Sequence, residues 1–573
     1  MAAPKVSRVP AANMQDRIDR LENLVTSLVS KNNDEKEVIT SSSEIPHQRD
    51  TSGRSSTPQT SSAVAAETAA SKEPDDFEAN QLVKIYQDEM SSQSPFVIIP
   101  PRTTASDLRQ ESPLLYRAII ITTSAYRSCR QAFYEKQISE FVTDHLLMRS
   151  HNSLELLQSI LLFIAWYRRS AIISVQLNNL LQLAVGLVAE LNLNRGPTFF
   201  DRSKMVLATP CSRALTYGPK TMDERRALLG CFYLSSAAAT SLQRLDSMRL
   251  TRPIEESCQA LIEKQVYPTD VQLAYVVKAQ YLTERIAKTI HINEWDITFT
   301  AKPPVEMHIK AFQSEITAMK NSLPPSLQQN TSALMHLDFA SIRLYEVALL
   351  DTPQSPSTNP ILTKPTHLEN LYSLLLSTKS FITFFLSAPA ETHQSLSYIT
   401  WAQFAYALMI LTRLTFFTSP SCPSWTIEIV RSIMDFSVVQ DTLVARFEQA
   451  RAHTFSRMTQ GENRAEREEL YNGYIRKLHK ARALFENRVK FVKSANAGWE
   501  QDKVRVMGPS EGKNRDVERG DGHPTPSTSN IGAMELMEDE MHLDPSLFDV
   551  LNDDALNDDA LNDDAFWLDL ATY

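Results

Sequence analysis

Glycine is scarce in this chain, with 13 among 573 residues. Strand-rich and doubly wound folds spend glycine on tight turns and phosphate loops, so the shortage points to helices. Cysteine is sparser still. Cys129, Cys211, Cys231, Cys258 and Cys422 lie far apart with no Cys-x-x-Cys, which excludes a structural zinc site built from cysteine pairs. Buried free thiols in a reducing compartment are the expectation. Gly-x-Ser-x-Gly, His-Glu-x-x-His and the dinucleotide fingerprint are all missing, and the 12 histidines show no ligand spacing. GPSEGKN at 508–514 has three residues between its glycines, where a phosphate loop needs four. No enzyme chemistry is therefore expected. No apolar stretch near the N-terminus is long enough for a secretory signal. The nearest thing to a membrane span, residues 398–418, holds Gln403 and Arg413. An arginine at mid-bilayer costs about 3 kcal/mol. The segment is predicted to be a buried core helix, and no membrane partner is expected.

Basic charge is also short where it would be informative. The formal net charge is −10, and the last 39 residues alone carry 13 acidic side chains with no Lys or Arg. Removing their −13 leaves +3 for the rest, so the body has no strong electrostatic case for nucleic acid. A basic stretch at 476–493 is interleaved with glutamates upstream and reads as a solvated, charge-balanced helix face.

The acidic tail, residues 534–573, is the most distinctive segment present. Leu547, Phe548, Leu551, Leu556, Leu561, Phe566, Trp567 and Leu568 are threaded through the acid, and Leu-Asn-Asp-Asp-Ala recurs three times in tandem from Leu551. Self-repulsion and low hydrophobicity leave such a segment unable to offset its ordering entropy alone. Its composition is that of a disordered activation segment, which docks through aromatic and Leu anchors while its charge steers the approach. A tail that only solubilises is the plainer alternative. Asp553, Asp554 and Asp558 approach a diphosphate-site spacing, but on a fraying terminus and not on a helix lining a closed cavity.

At the other end, Met14, Ile18, Leu21, Val25 and Leu28 are spaced 4, 3, 4, 3. β-Branched residues alternating with Met and Leu in heptad register predict a parallel two-stranded coiled coil over 13–30. An amphipathic helix folded onto its own body is the alternative. Residues 1–12 are predicted disordered, as is the Ser/Thr/Pro-rich linker 31–76. From 77 to 496 the periodicity is helical throughout. Helices are predicted at 154–167, at 176–194 closed by Gly196 and Pro197, and at 223–248, 271–292, 304–323, 333–350, 367–386, 398–418 and 424–451. A charged, solvated helix is predicted at 462–492. Period-2 alternation is confined to PFVIIP at 95–100. The fold class is thus all-α: one large helical bundle, with room for two sub-bundles, followed by a linker at 497–533. A small apolar pocket inside the bundle could take an inducer, though no contact residue can be named from sequence.

The middle of the chain resembles the middle homology region of fungal zinc binuclear cluster (Zn2Cys6) transcription factors. The resemblance rests on Leu157–Trp166, on Leu180–Arg195 and on Glu224–Arg249, with its ERR start and GCFYL core, and covers roughly residues 80–450. The flanks agree: Arg17, Ile18, Leu21, Glu22 and Val25 match that family's dimerising coiled coil, and an acidic C-terminal segment is usual in it. The family's six-cysteine cluster would precede the coiled coil, and MAAPKVSRVPAAN has no cysteine. The expectation is that the chain as written lacks its own DNA-binding zinc cluster, so that DNA is reached through a missing module or a partner. No cofactor is expected in this chain, zinc only with such a cluster, and no DNA-binding or metal residue is assigned.

The resemblance implies a nuclear transcription regulator, an activator, with a local secondary-metabolite pathway as its expected target. Its partners would be a second copy or a related factor, and the transcription machinery. Two alternatives stand beside it. One is a helical scaffold that pairs with full-length factors and blocks them. The other is an all-α terpenoid-type enzyme, which the helices disfavour by showing no paired acidic metal motif.

Overall fold

The computed structural model describes residues 74–127, 131–150, 152–166, 175–196, 219–242, 247–290, 305–350, 364–419, 422–457 and 464–506. The chain divides after Glu73, and every described residue belongs to the unit that begins at Pro74. Among the described residues each regular element is helical and no strand occurs, so the all-α reading holds.

The first part comprises α1 (Asp76–Ile85), α2 (Ala105–Glu111), α3 (Pro113–Arg127), α4 (Gln131–Val142), α5 (Leu154–Ala165), α6 (Val175–Glu190), α7 (Met222–Leu242) and α8 (Arg252–Lys264). After α9 (Thr269–Ile290) come α10 (Val305–Asn321), α11 (Thr331–Tyr345), α12 (Lys364–Ser387) and α13 (Tyr398–Phe416). The series closes with α14 (Ile427–Ile433), α15 (Phe436–Arg457) and α16 (Arg464–Val506). Short 3-10 turns follow α11 (Glu346–Leu350) and precede α13 (Ala390–Ser395).

Local chemistry explains where helices start and stop. The Thr104 hydroxyl accepts from the Asp107 amide while Asp107 reaches back to the Thr104 amide, a capping box that starts α2. Ser153 caps α5 by accepting from the Leu156 amide. The α6 helix ends earlier than Gly196 and Pro197 suggest. Asn192 takes a left-handed conformation, φ 56°, and the Leu193 amide turns back to the Val188 carbonyl at 3.0 Å. Asparagine thus does the work expected of the glycine. The single helix expected over 424–451 is two. Asp435 breaks it, accepting from the Ser437 amide at 2.9 Å to open α15 and from Arg431 Nε at 2.8 Å to close α14. PFVIIP forms no strand. Its Val97 carbonyl accepts from Tyr86 Oη at 2.6 Å and its Pro100 carbonyl from Gln87 Nε2 at 2.9 Å, so side chains satisfy the extended backbone.

Two cores form. The first gathers α1 through α8 around α7, with Leu157, Leu161, Leu228 and Phe232 fully enclosed. The second gathers α10 through α16 around α13 and α12, with Phe381, Phe404, Leu408 and Phe485 at its centre. Each such side chain contributes about 1.5–3 kcal/mol of burial. Two helices belong to both cores. On α9, Leu273, Ala274 and Val277 face the first, while Leu282, Ile286 and Ile290 face the second. On α13, Tyr398 and Ile399 face the first and Trp401 onward the second. Trp166, at the end of α5, fastens the seam by donating its indole N–H to the Ser395 carbonyl at 3.1 Å.

A buried ion pair fixes the start of α7 against α9. Arg226 is almost wholly enclosed and donates to both carboxylate oxygens of Asp270, at 2.7 and 3.0 Å, and to Asp223 at 2.7 Å. Its guanidinium also lies 4.7 Å from the Tyr267 ring centre. The α16 helix differs from the expected solvated rod. Tyr471, Tyr474, Leu478, Ala481, Phe485 and Val489 make a buried stripe on its inner side. Some of its charges pair with the helices beneath, as in Arg482–Asp441 at 3.2 Å and Arg431–Glu486 at 2.9 Å.

Candidate functional site

Where the two cores meet, they leave a cavity of about 400 Å³. Its walls come from the 92–96 loop, α7, α9, the first turn of α11, the end of α12 and the start of α13. The lining contains no Asp, Glu, Lys or Arg.

One wall is a pair of polar rings. Tyr233 on α7 donates its phenol to Nε2 of His336 on α11 at 2.8 Å. His336 Nδ1 lies 2.7 Å from the Ser332 carbonyl. A carbonyl can only accept, so Nδ1 carries the proton and Nε2 is the acceptor, a tautomer assigned from these partners. Burial, partly countered by that carbonyl, lowers the imidazole from its ordinary 6.5 to about 4. Burial also raises the Tyr233 phenol. Both groups are therefore neutral near pH 7, and the pair is a fixed dipole without charge.

Phe96 forms the adjoining wall, its ring 5.6 Å from that of Tyr233. It reaches this place because residue 230 is glycine. A Cβ there would fall 2.5–2.9 Å from Phe96 side-chain atoms, inside any real contact distance. Gly230 is thus required for close approach, although it sits mid-helix where glycine costs about 1 kcal/mol against alanine. Opposite stand Phe385 and Met335, and Leu273 and Val276 continue the apolar lining from α9.

Gln403 on α13 completes the lining. It is 1% exposed, and its Nε2 has no hydrogen-bond partner. A buried amide donor left unmatched costs about 1–3 kcal/mol. Two amides at the rim are occupied: Asn330 Nδ2 donates to Gln272 Oε1 at 3.1 Å, and Gln272 Nε2 to the Ser92 carbonyl at 3.4 Å.

The site residues named from sequence are not among the described residues. Met14, Ile18, Leu21, Val25 and Leu28 of the heptad seam are outside the described residues. So are the tail anchors Leu547, Phe548, Leu551, Leu556, Leu561, Phe566, Trp567 and Leu568. Tyr233, His336 and Gln403 were not singled out as a site. A signal existed for two of them: Tyr233 falls in the GCFYL motif, and Gln403 is the lone amide in an apolar run. Nothing in the sequence brings His336 to Tyr233, 103 positions away.

Cys231, Cys258 and Cys422 are free and buried, and burial pushes the first two thiols up to about 12. Among the described residues no group of His, Cys, Asp and Glu could hold a metal ion. Among them, too, no helix is long and apolar enough to cross a membrane; 398–416 is instead buried along most of its length.

Comparison with known proteins gives a consistent set of relatives. Residues 19–345, more than half of the chain, match the family model described as the WAR1 C-terminal domain. Residues 391–557 match a second model, described as a C-terminal domain. The chain is 29% identical over 390 residues to the transcription factor opdL of Penicillium oxalicum, which covers 67% of this chain and 66% of that one. It is 24% identical over 414 residues to the transcription factor himD of Aspergillus japonicus, with 72% and 66% covered. To the transcription factor pbcR of Emericella nidulans it is 23% identical over 247 residues, with 40% and 32% covered. The chain thus spans just under two thirds of the length of the first two relatives. No solved structure matches it. The resemblance to fungal transcription factors carried by 157–166, 180–195 and 224–249 is matched by these proteins.

Proposed function

The chain belongs to the WAR1 C-terminal domain family, and we propose that it is a transcription regulator of the fungal type, acting in the nucleus as an activator. The family match over residues 19–345, together with relatives that are themselves named transcription factors, is the observation that carries this reading. The helical body is the regulatory part. The heptad seam at 13–30 pairs it with a second copy or a related factor, and the acidic tail at 534–573 recruits the transcription machinery. DNA is reached through a partner or a module outside the residues given. The target is a local pathway, of the secondary-metabolite kind that the resemblance suggests.

The test is a fusion of residues 535–573 to a heterologous DNA-binding module, measured on a reporter. The fusion should activate, and Phe566→Ala with Trp567→Ala should remove most of the activity while leaving the acidic charge untouched. A silent fusion, or one indifferent to the aromatic change, would remove the activator role.

A further inference from the structure

The cavity at the seam of the two cores is a built site and not a packing fault. Its volume of about 400 Å³ lies in the range of small-molecule sites. Its wall is a mixture of aromatic and aliphatic side chains with a few placed polar groups, which is the composition that fixes a ligand's orientation.

The chemistry of the wall selects the ligand. With no charged side chain in the lining and with His336 committed as a neutral acceptor, an ionised ligand would lose its hydration without gaining a counter-charge. Phe96, Phe385, Met335 and Leu273 offer a flat and flexible apolar surface. The unmatched Gln403 Nε2 lies behind this surface, with almost no accessible area of its own. Other buried amides with unmatched atoms, among them Asn370 and Gln440, are not part of this wall. The first turns of α11 and α13 border the same space, so the local dipoles favour an electronegative atom there.

We propose that this cavity binds a neutral organic molecule with an aromatic or polycyclic body, its carbonyl or ether oxygen set at the first turns of α11 and α13. The molecule would touch Phe96, Tyr233 and Leu273 of the first core and Met335 and Phe385 of the second, so its binding bears directly on how the two halves pack. As an effector site the cavity rests on the regulator reading above. As a binding site it does not, and the two can fail separately.

The probe is 6-propionyl-2-(dimethylamino)naphthalene, a neutral naphthalene ketone whose emission responds to polarity and to hydrogen bonding at its carbonyl. It is titrated into the purified full chain. Saturable binding at one site with a blue-shifted emission is expected. Ala388→Trp, which fills the cavity from its rim, should abolish binding in a chain whose circular dichroism is unchanged. The anionic probe 1-anilinonaphthalene-8-sulfonate should bind at least tenfold more weakly. No saturable binding of the neutral probe overturns the proposal. So does binding that survives Ala388→Trp in a folded chain, or an anionic probe that binds as well as the neutral one. The reporter fusion above uses only the tail, so its outcome leaves these results untouched.

Discussion

At the residue scale, the described body is decided by a few polar groups placed where only apolar ones are expected. His336 is the clearest. Its folded-state pKa of about 4 lies below the ordinary 6.5, because burial penalises the imidazolium more than the Ser332 carbonyl favours it. Between those two values the unfolded chain binds more protons than the folded one. The stability contributed by His336 is therefore full above pH 6.5 and is lost progressively as the pH falls from 6.5 through 4. Acidification from pH 7 to pH 5 should remove about 2 kcal/mol on its account. His336→Gln, compared with the parent by denaturant titration at each pH, should flatten the dependence in that window by this amount. Equal slopes in parent and variant would show that His336 does not titrate in this environment. Neither this residue nor its partner was legible as a site, because a hydrogen bond between α7 and α11 leaves no local spacing in the chain. Gly230 was visible only as a letter in a motif. The reason for it, the Phe96 ring that would strike a Cβ, comes from a loop 134 positions upstream.

At the scale of the element, sequence periodicity carried most of the helices. The α5 and α13 helices read as nearly all-round apolar and are buried on nearly all sides. The misreadings have local causes. A single Asp435 that satisfies two neighbouring helices at once divided a run that looked continuous, and Asn192 in a left-handed turn ended α6 before its glycine. The α16 helix misled because its charges outnumber its apolar stripe. Phe485 packs at 4.6 Å from the Phe436 ring centre, whereas Arg476 pairs with Glu469 with both two-thirds exposed. Phe485→Ala should therefore cost about 3–5 kcal/mol. Arg476→Ala should cost about 1 kcal/mol or less, since an exposed pair gains little over water. Denaturant midpoints for the two variants test this contrast, and equal losses would mean that α16 is held by its charges and not by its stripe.

At the scale of the whole molecule, one large all-α body was legible, and two cores were an admissible reading of it. What the sequence could not convey is how the cores share α9 and α13 and leave a cavity between them. That arrangement depends on where a helix changes partners along its length, at Val277 to Leu282 on α9 and at Ile399 to Trp401 on α13. The helical periodicity runs on through each change, so it does not mark it. The heptad seam and the acidic tail were read from sequence and lie outside the described residues, and their roles belong to the proposal of an activator. The most direct test of that proposal tethers the full chain to a heterologous DNA-binding module at its N-terminus and measures reporter output with and without residues 535–573. The account predicts strong activation by the full chain and output at the level of the module alone after the truncation. A full chain that leaves the reporter silent or represses it, or a truncated chain that activates as well as the full one, would contradict it.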